Sequence, residues 1–294
     1  MGSPLISIVI PNYNSAGYVD LCLQSIVNQS YSNHEIIFVD DLSEDDSPKL
    51  ALKFPIKLIL SKVKLYAGGA RETGFKEANG DFILYVDSDV SLPPEWLEKA
   101  LKIIQLDEKI GGVGGALILP MNSNLFSWTN YLCSFSAYFP NQKKSKRVFL
   151  PTSCVLFRKY SLEGISFPHS YGDEDVQMSS EIIGKGFDLI FDPSLLAVHY
   201  DNRDTFDSVL RAQERYANGL AFGWSKNKKL IYILKYIPYM LFIPVFTTAK
   251  IFQILLRVLK SPTLLKHFIQ TLPLQIIVLL KRSYFIKGMI RITK

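Results

Sequence analysis

The first hundred residues alternate short apolar runs with helical patterns, and this alternation constrains the fold more than any other feature of the chain. ISIVIP (6–11) is continuously apolar, so it reads as a strand buried on both faces. A helical stretch follows from about 16 to 28, with Val19, Cys22, Leu23 and Ile26 at the spacing of one helix face. EIIFVDD (35–41), KLIL (57–60) and DFILYVDSD (81–89) read as three more strands, with a helix over 69–79 between the last two. Such alternation builds an α/β, doubly wound, mostly parallel sheet. Ligands bind these sheets beyond the carboxyl ends of the strands. Two acidic clusters, Asp40-Asp41 and Asp87-Ser88-Asp89, fall there.

The spacing of the second cluster suits a specific chemistry. Two carboxylates one residue apart at a strand end can hold a hard divalent cation, and the cation can neutralise a diphosphate. An Asp pair can equally end a strand and cap a helix. With 48% hydrophobic residues the chain can bury a core, which excludes a disordered protein. Cys22, Cys133 and Cys154 show no CxxC pairing, which argues against a zinc site or disulfide framework and fits a reducing compartment. The run from Met1-Gly2-Ser3 straight into ISIVIP, without a signal peptide, leads us to expect a cytosolic N-terminal domain. A nucleotidyltransferase would need a glycine-rich basic loop after its first strand, and PNYNSAG is not one.

SIVIPNYN (7–14), EIIFVDDLSEDD (35–46), GGARETGFKEANGDFILYVDSDV (68–90) and GDEDVQMSSEIIGKGF (172–187) together resemble the inverting nucleotide-sugar glycosyltransferases of family 2, which have the GT-A fold. The motifs occur in that family's order over roughly residues 5–225. The resemblance implies that Pro11, Tyr13 and Asn14 line the nucleotide pocket and that Asp41, or Asp40, accepts hydrogen bonds from the base. It gives Gly68 and Gly69 close backbone approach to ligand, Arg71 a contact to base or phosphate, and Asp87, Ser88 and Asp89 the metal-diphosphate site. The metal is Mn²⁺ or Mg²⁺, with His199 as a third ligand. Within the acidic run 173–175, Asp175 is the expected base that deprotonates the acceptor, with Glu174 orienting the acceptor or substituting for it. Arg211 and Arg215, four residues apart on a helix, could hold phosphate oxygens. His34, His169 and His267 are read as structural.

The charge is divided unevenly. Residues 226–294 carry thirteen Lys or Arg and no Asp or Glu, so the overall +6 leaves −7 for the rest. Nucleic acid and an anionic membrane are the usual partners of such a tail, and its Leu, Ile, Phe, Tyr and Val content selects the membrane. At 100° per residue, Lys228, Lys235, Lys250, Gln253, Arg257 and Lys260 lie within about 40° of one line, the narrow polar stripe of an interfacial helix. Pro238 and Pro244 should kink or break it. A second stretch, 263–291, repeats the pattern with Lys266, Gln270, Lys281 and Arg291.

The expected organisation is a nucleotide-sugar-binding half (1–110), an acceptor-binding half (111–225) and basic amphipathic anchoring helices (226–294) on the cytoplasmic face of a membrane. The expected reaction moves a hexose from a GDP- or UDP-sugar to a lipid-linked or glycan acceptor, and the C-terminal helices offer an oligomer interface. The competing reading is a non-catalytic membrane adaptor that keeps the nucleotide-binding fold.

Overall fold

The computed structural model describes residues 2–169, 174–201, 203–225 and 243–292. They form two compact units, 1–118 with 143–200 and 119–142 with 201–294, so the segment 111–225 is divided between them.

The first unit is built on one mixed nine-stranded sheet. Its strands are β1 (Ile6–Asn12), β2 (His34–Asp40), β3 (Lys57–Leu60), β4 (Phe82–Val86), β5 (Val90–Ser91), β6 (Ile110–Ile118), β7 (Ser145–Arg147), β8 (Cys154–Arg158) and β9 (Asp188–His199). They run in the order β3-β2-β1-β4-β8-β6-β9-β5, with β7 beside β9. The β3-β2-β1-β4 half is parallel, as the alternating pattern predicts. Beyond β4 the pairings β4–β8, β6–β8, β5–β9 and β7–β9 are antiparallel, and β6–β9 is parallel.

Burial follows the sequence pattern. Ile6, Ile8, Val9 and Ile10 of β1 are fully buried. On α1 (Val19–Val27) the buried residues are Val19, Cys22, Leu23 and Ile26, the face given by their spacing. KLIL differs: β3 is an edge strand with Lys57 and Leu60 exposed, because only β2 pairs with it. The helices α2 (Ser47–Ala51), α3 (Tyr66–Lys76) and α4 (Trp96–Ile104) complete the first half, with α3 starting three residues earlier than predicted. The glycine cluster 111–115 lies in β6, where the register with β9 shifts between Gly114 and Ala116. A Cβ on Gly115 would sit 1.6 Å from the Leu195 carbonyl oxygen, so only glycine lets the two strands meet there.

The second unit is helical. It holds α5 (Leu125–Phe135), whose N-cap Asn124 accepts from the amides of Phe126 and Ser127, and α8 (Phe206–Ser225). The short α6 (Lys159–Leu162) and α7 (Glu174–Gly184) lie between them in sequence and belong to the first unit. Two further helices, Ile243–Val258 and Pro262–Ile292, follow. A buried polar network links Asp201, Asn130, Gln213 and Arg282, each hydrogen-bonded to the next. The His267 ring stacks on Trp128 with centroids 3.8 Å apart.

Lys228, Lys235 and Pro238 lie outside the described residues. Pro244 stands in the first turn of the helix Ile243–Val258, a position proline tolerates because no intrahelical N–H bond is needed there. The polar stripe turns partly inward: Arg257 donates to Ser136 Oγ, and Lys250 is half-buried. The same helix exposes Val245, Phe252 and Leu256, each by more than half. Pro262–Ser283 is long and apolar enough to cross a bilayer by length and composition, and a third of it is buried.

Candidate active site

The loops after β1 and β2 and before α3 interlock at the carboxyl end of the parallel strands. Buried Asn12, at the end of β1, donates from Nδ2 to Asp40 Oδ1 (2.7 Å), Ser47 Oγ (2.9 Å) and Ser43 Oγ (3.1 Å), and accepts from Ser15 Oγ. Asp40 also accepts from the Ser43 amide. Asp41 accepts from the amides of Leu65 (2.6 Å) and Tyr66 (2.9 Å) and pairs with Lys64 at 3.0 Å. Both acids expected to face a nucleobase thus bond to the chain itself and tie these loops together. Asn14 bridges the same loops through the Ser43 hydroxyl and the Glu44 amide.

Asn14, Leu42 and Tyr66 adopt left-handed backbone conformations, with φ of 52°, 63° and 56°. Left-handed backbone at non-glycine residues concentrates at functional sites. Tyr13 is half-exposed, and the Lys64 ammonium lies over its ring, 3.1 Å from the centroid. Pro11 pairs opposite Val39 within the sheet. The space at Gly68 and Gly69 is taken by the chain itself: a Cβ on Gly68 would meet the Pro168 carbonyl oxygen at 1.9 Å, and one on Gly69 the His169 ring at 3.0 Å.

Asp87, Ser88 and Asp89 form the turn between β4 and β5. The turn is fixed by three backbone bonds: Asp87 amide to Ser153, Val90 amide to Asp87, and Tyr200 amide to Asp89. The antiparallel register of β5 and β9 sets Val90 opposite His199. This brings His199 Nε2 to 3.4 Å from Asp89 Oδ2 across a separation of 110 residues. Ser88 is buried, whereas the side chains of Asp87 and Asp89 keep about 30% of their surface open.

Arg71, on α3, is 2% exposed. Its Nη2 lies 2.7 Å from Asp87 Oδ1 and its Nη1 3.1 Å from Glu174 Oε1. Burial alone would lower its pKa, but Asp87, Glu174 and Asp175 together raise it, so the guanidinium is firmly cationic. Burial lifts the Asp87 carboxyl above the usual range, and the pull of Arg71 does not cancel that. Glu174 and Asp175 open α7, where the helix dipole favours negative charge. Burial, with Glu174 alongside, pushes Asp175 up to about 7 against the opposing pull of Arg71. Asp173, the third acid of that run, lies outside the described residues.

The structure therefore brings Arg71, Asp87 and Glu174 into contact, with Asp175 in their field, and joins Asp89 to His199. Arg211 and Arg215 stand on α8 of the other unit. Asn12, Ser43, Ser47 and Lys64 were not singled out from sequence; Asn12 sits inside the PNYN motif and is the one that motif could have revealed. His34 donates from Nδ1 to the Tyr31 carbonyl, and His169 donates from Nε2 to the Glu72 carboxylate. Among the described residues no three of His, Cys, Asp and Glu come close enough together to hold a metal ion.

This mixed sheet, with carboxylates gathered at its strand ends, has the GT-A fold. Residues 7–165, more than half the chain, match the model for Glycosyl transferase family 2, and the chain belongs to that family. Glycosyltransferase AglE of Haloferax volcanii is 25% identical over 234 residues, 76% of each chain. The UDP-Glc:alpha-D-GlcNAc-diphosphoundecaprenol beta-1,3-glucosyltransferase WfgD of Escherichia coli is 37% identical over 92 residues, 30% of this chain and 36% of that one. Four of the curated relatives, WfgD included, are spanned over only 31–44% of their length. Among solved structures, the mannosyltransferase PcManGT of Pyrobaculum calidifontis, in complex with GDP-Man and Mn2+, superposes with a TM-score of 0.64 at 17% identity, over 96% of this chain and 87% of that one. The similarity supports an enzyme rather than an adaptor.

Proposed function

We propose that the enzyme transfers a hexose, with inversion, from a GDP- or UDP-sugar to a hydroxyl or phosphate of a membrane-borne lipid-linked acceptor. The observation that carries this reading is the ring of carboxylates around buried Arg71. Arg71 holds Asp87 and Glu174 at fixed separations, and Asp175 is poised at about 7. A base that takes a proton at neutral pH works best with a pKa close to that pH. Asp175 would accept the acceptor's proton while the acceptor oxygen attacks the anomeric carbon from the face opposite the diphosphate. Glu174, fixed by Arg71, would orient the acceptor.

Asp87, Asp89 and His199 supply the donor chemistry for a divalent cation such as Mn²⁺ or Mg²⁺, although the three are not gathered into one ligand group in this structure. Their two carboxylates and one imidazole are the hard and borderline ligands such ions take, and the Asp87 and Asp89 side chains remain open to solvent. When bound, the ion would supply positive charge to the diphosphate leaving group. Tyr13, with Lys64 stacked on it, offers a face for the base or ribose, and Asn14 holds the loop beneath it. The GDP-Man and Mn2+ in the neighbouring mannosyltransferase support this chemistry, as the diphosphoundecaprenol in the name of the Escherichia coli relative supports a lipid-linked acceptor. The exposed apolar side chains and basic tail support attachment to the cytoplasmic leaflet.

A thermal-shift panel of GDP- and UDP-sugars with Mn²⁺ tests the donor. A matched donor at 100 times its dissociation constant should stabilise the fold by about 2.7 kcal/mol. The reading fails if no nucleotide sugar raises the melting temperature, or if EDTA leaves both binding and transfer intact.

A further inference from the structure

The helices Ile243–Val258 and Pro262–Ile292 line an open cavity of about 450 Å³, within the range of small-molecule sites. Phe246, Thr247, Lys250, Gln253, Leu279 and Arg282 line it. Two cationic heads thus share one cavity. Lys250 Nζ donates to Gln253 Oε1 at 3.2 Å, and Arg282 donates to Gln213 Oε1 at 3.1 Å. Neither enters an ion pair among the described residues, and 226–294 contain no Asp or Glu to supply one. Burial, then the positive charges of Arg282 and Arg257, pull the Lys250 ammonium down to about 8. The Thr247 hydroxyl on the cavity wall is buried without a hydrogen-bond partner among the described residues. A site with surplus positive charge and an unused hydroxyl is complementary to an anion with several acceptor oxygens.

The surroundings indicate what the anion is attached to. Phe246 lines the cavity and is 38% exposed, and Val245, Phe252, Ile276 and Ile277 of the same two helices are exposed as well. A free phosphate would use the charged wall and leave the apolar flank bare. We propose that this cavity binds the phosphate headgroup of an amphipathic lipid, whose hydrocarbon chain lies along the neighbouring exposed apolar side chains. The proposal deepens the membrane reading given above and rests on it.

The test uses the full chain in a mild maltoside detergent. Acylation of Lys250 by an amine-reactive reagent at pH 8 is followed by mass spectrometry. The probes are dihexanoyl phosphatidic acid, dihexanoyl phosphatidylcholine and inorganic phosphate. At ten times its dissociation constant a ligand fills about nine-tenths of its sites, so phosphatidic acid should slow labelling of Lys250 about tenfold while leaving exposed lysines unchanged. Phosphatidylcholine and inorganic phosphate should leave the Lys250 rate within about twofold of the free protein. Lys250→Gln, which removes a crowded charge, should melt no lower than wild type and lose the thermal stabilisation that phosphatidic acid gives. Equal protection by inorganic phosphate overturns the lipid assignment, and unchanged labelling with phosphatidic acid overturns the site. Glycosyl transfer measured on the same preparation separates the two readings. Transfer to a lipid-linked acceptor without Lys250 protection sinks only the cavity, and protection without transfer from any nucleotide sugar sinks only the proposed reaction.

Discussion

Replacing Asp175 by Asn keeps the shape of the side chain and removes its ability to take a proton. If Asp175 is the base, turnover should fall roughly 10²–10⁴-fold while nucleotide affinity holds, because the groups on the donor side are untouched. The same substitution should leave the fold intact or strengthen it. The rise from 3.8 to about 7 means that the folded protein resists charging this carboxyl. For a sealed carboxylate this would correspond to about 4 kcal/mol. Asp175 is only half-buried, so solvent screening reduces the figure to about 1–2 kcal/mol. That corresponds to a gain of about 2–4 °C in Tm for a domain of this size. The sign follows from linkage. The folded state holds the extra proton between pH 3.8 and about 7, so the penalty is absent below that window and complete above it. The Tm advantage of Asp175→Asn should therefore vanish near pH 4 and be full at pH 8, measured by scanning calorimetry. In wild type, kcat/KM should fall as pH drops through about 7, where Asp175 becomes protonated. An active Asp175→Asn beside a dead Glu174→Gln would move the base to Glu174. A variant that melts well below wild type at pH 8 would refute the desolvation reasoning.

Asp89→Ala should abolish transfer and the Mn²⁺-dependent thermal shift with nucleotide diphosphate while the protein stays folded; unchanged activity would remove the metal reading. Arg71→Met leaves Asp87 and Glu174 facing each other without their shared cation, and breaking a buried pair in this way costs about 3–5 kcal/mol, visible as a lower urea midpoint. A midpoint within experimental error of wild type would mean that water already screens the pair. Gly115→Ala drives a Cβ into the Leu195 carbonyl and should cost on the order of 1–3 kcal/mol, with no change in nucleotide affinity for the molecules that remain folded.

The parallel half of the sheet was legible because a strand buried on both faces carries a continuous apolar run, as in Ile8–Ile10 of β1, Ile36–Val39 of β2 and Phe82–Val86 of β4. The carboxylates at the strand ends were legible for the same reason: Asp40, Asp41 and Asp87 come where the apolar runs stop. What they bond to was not. Asp41 reads as a free acceptor in the sequence, yet it is occupied by the amides of Leu65 and Tyr66, contacts set by how the next loop folds back. Arg71 meets Glu174 across 103 residues, and Asp89 meets His199 through strand register; neither separation leaves a local signal. The antiparallel pairings beyond β4 were hidden because residues 111–200 lack regular alternation. The polar stripe of the tail was legible as a periodicity, but periodicity gives the angle of a face and not what covers it. Arg257 packing on Ser136 could not be foreseen from residues 226–294 alone.

The three left-handed residues around the loops bear on how this enzyme could change. A side chain forced into that conformation costs roughly 1–2 kcal/mol, less for Asn and more for bulky Leu42 and Tyr66. At two of the three the cost is offset by a backbone amide that donates to a neighbouring loop: Tyr66 N–H to the Asp41 carboxylate, and Asn14 N–H to Ser43 Oγ. The loops that carry Asn14 and Tyr66 are therefore held in shape by residues that belong to another loop. A substitution selected to admit a different donor, if it removed Asp41 or Ser43, would release strain in a loop it does not belong to and reshape the pocket at two places at once. Changes of donor preference in this scaffold should accordingly arise as coupled pairs of substitutions, one on each loop, with the single steps between them less stable than either end.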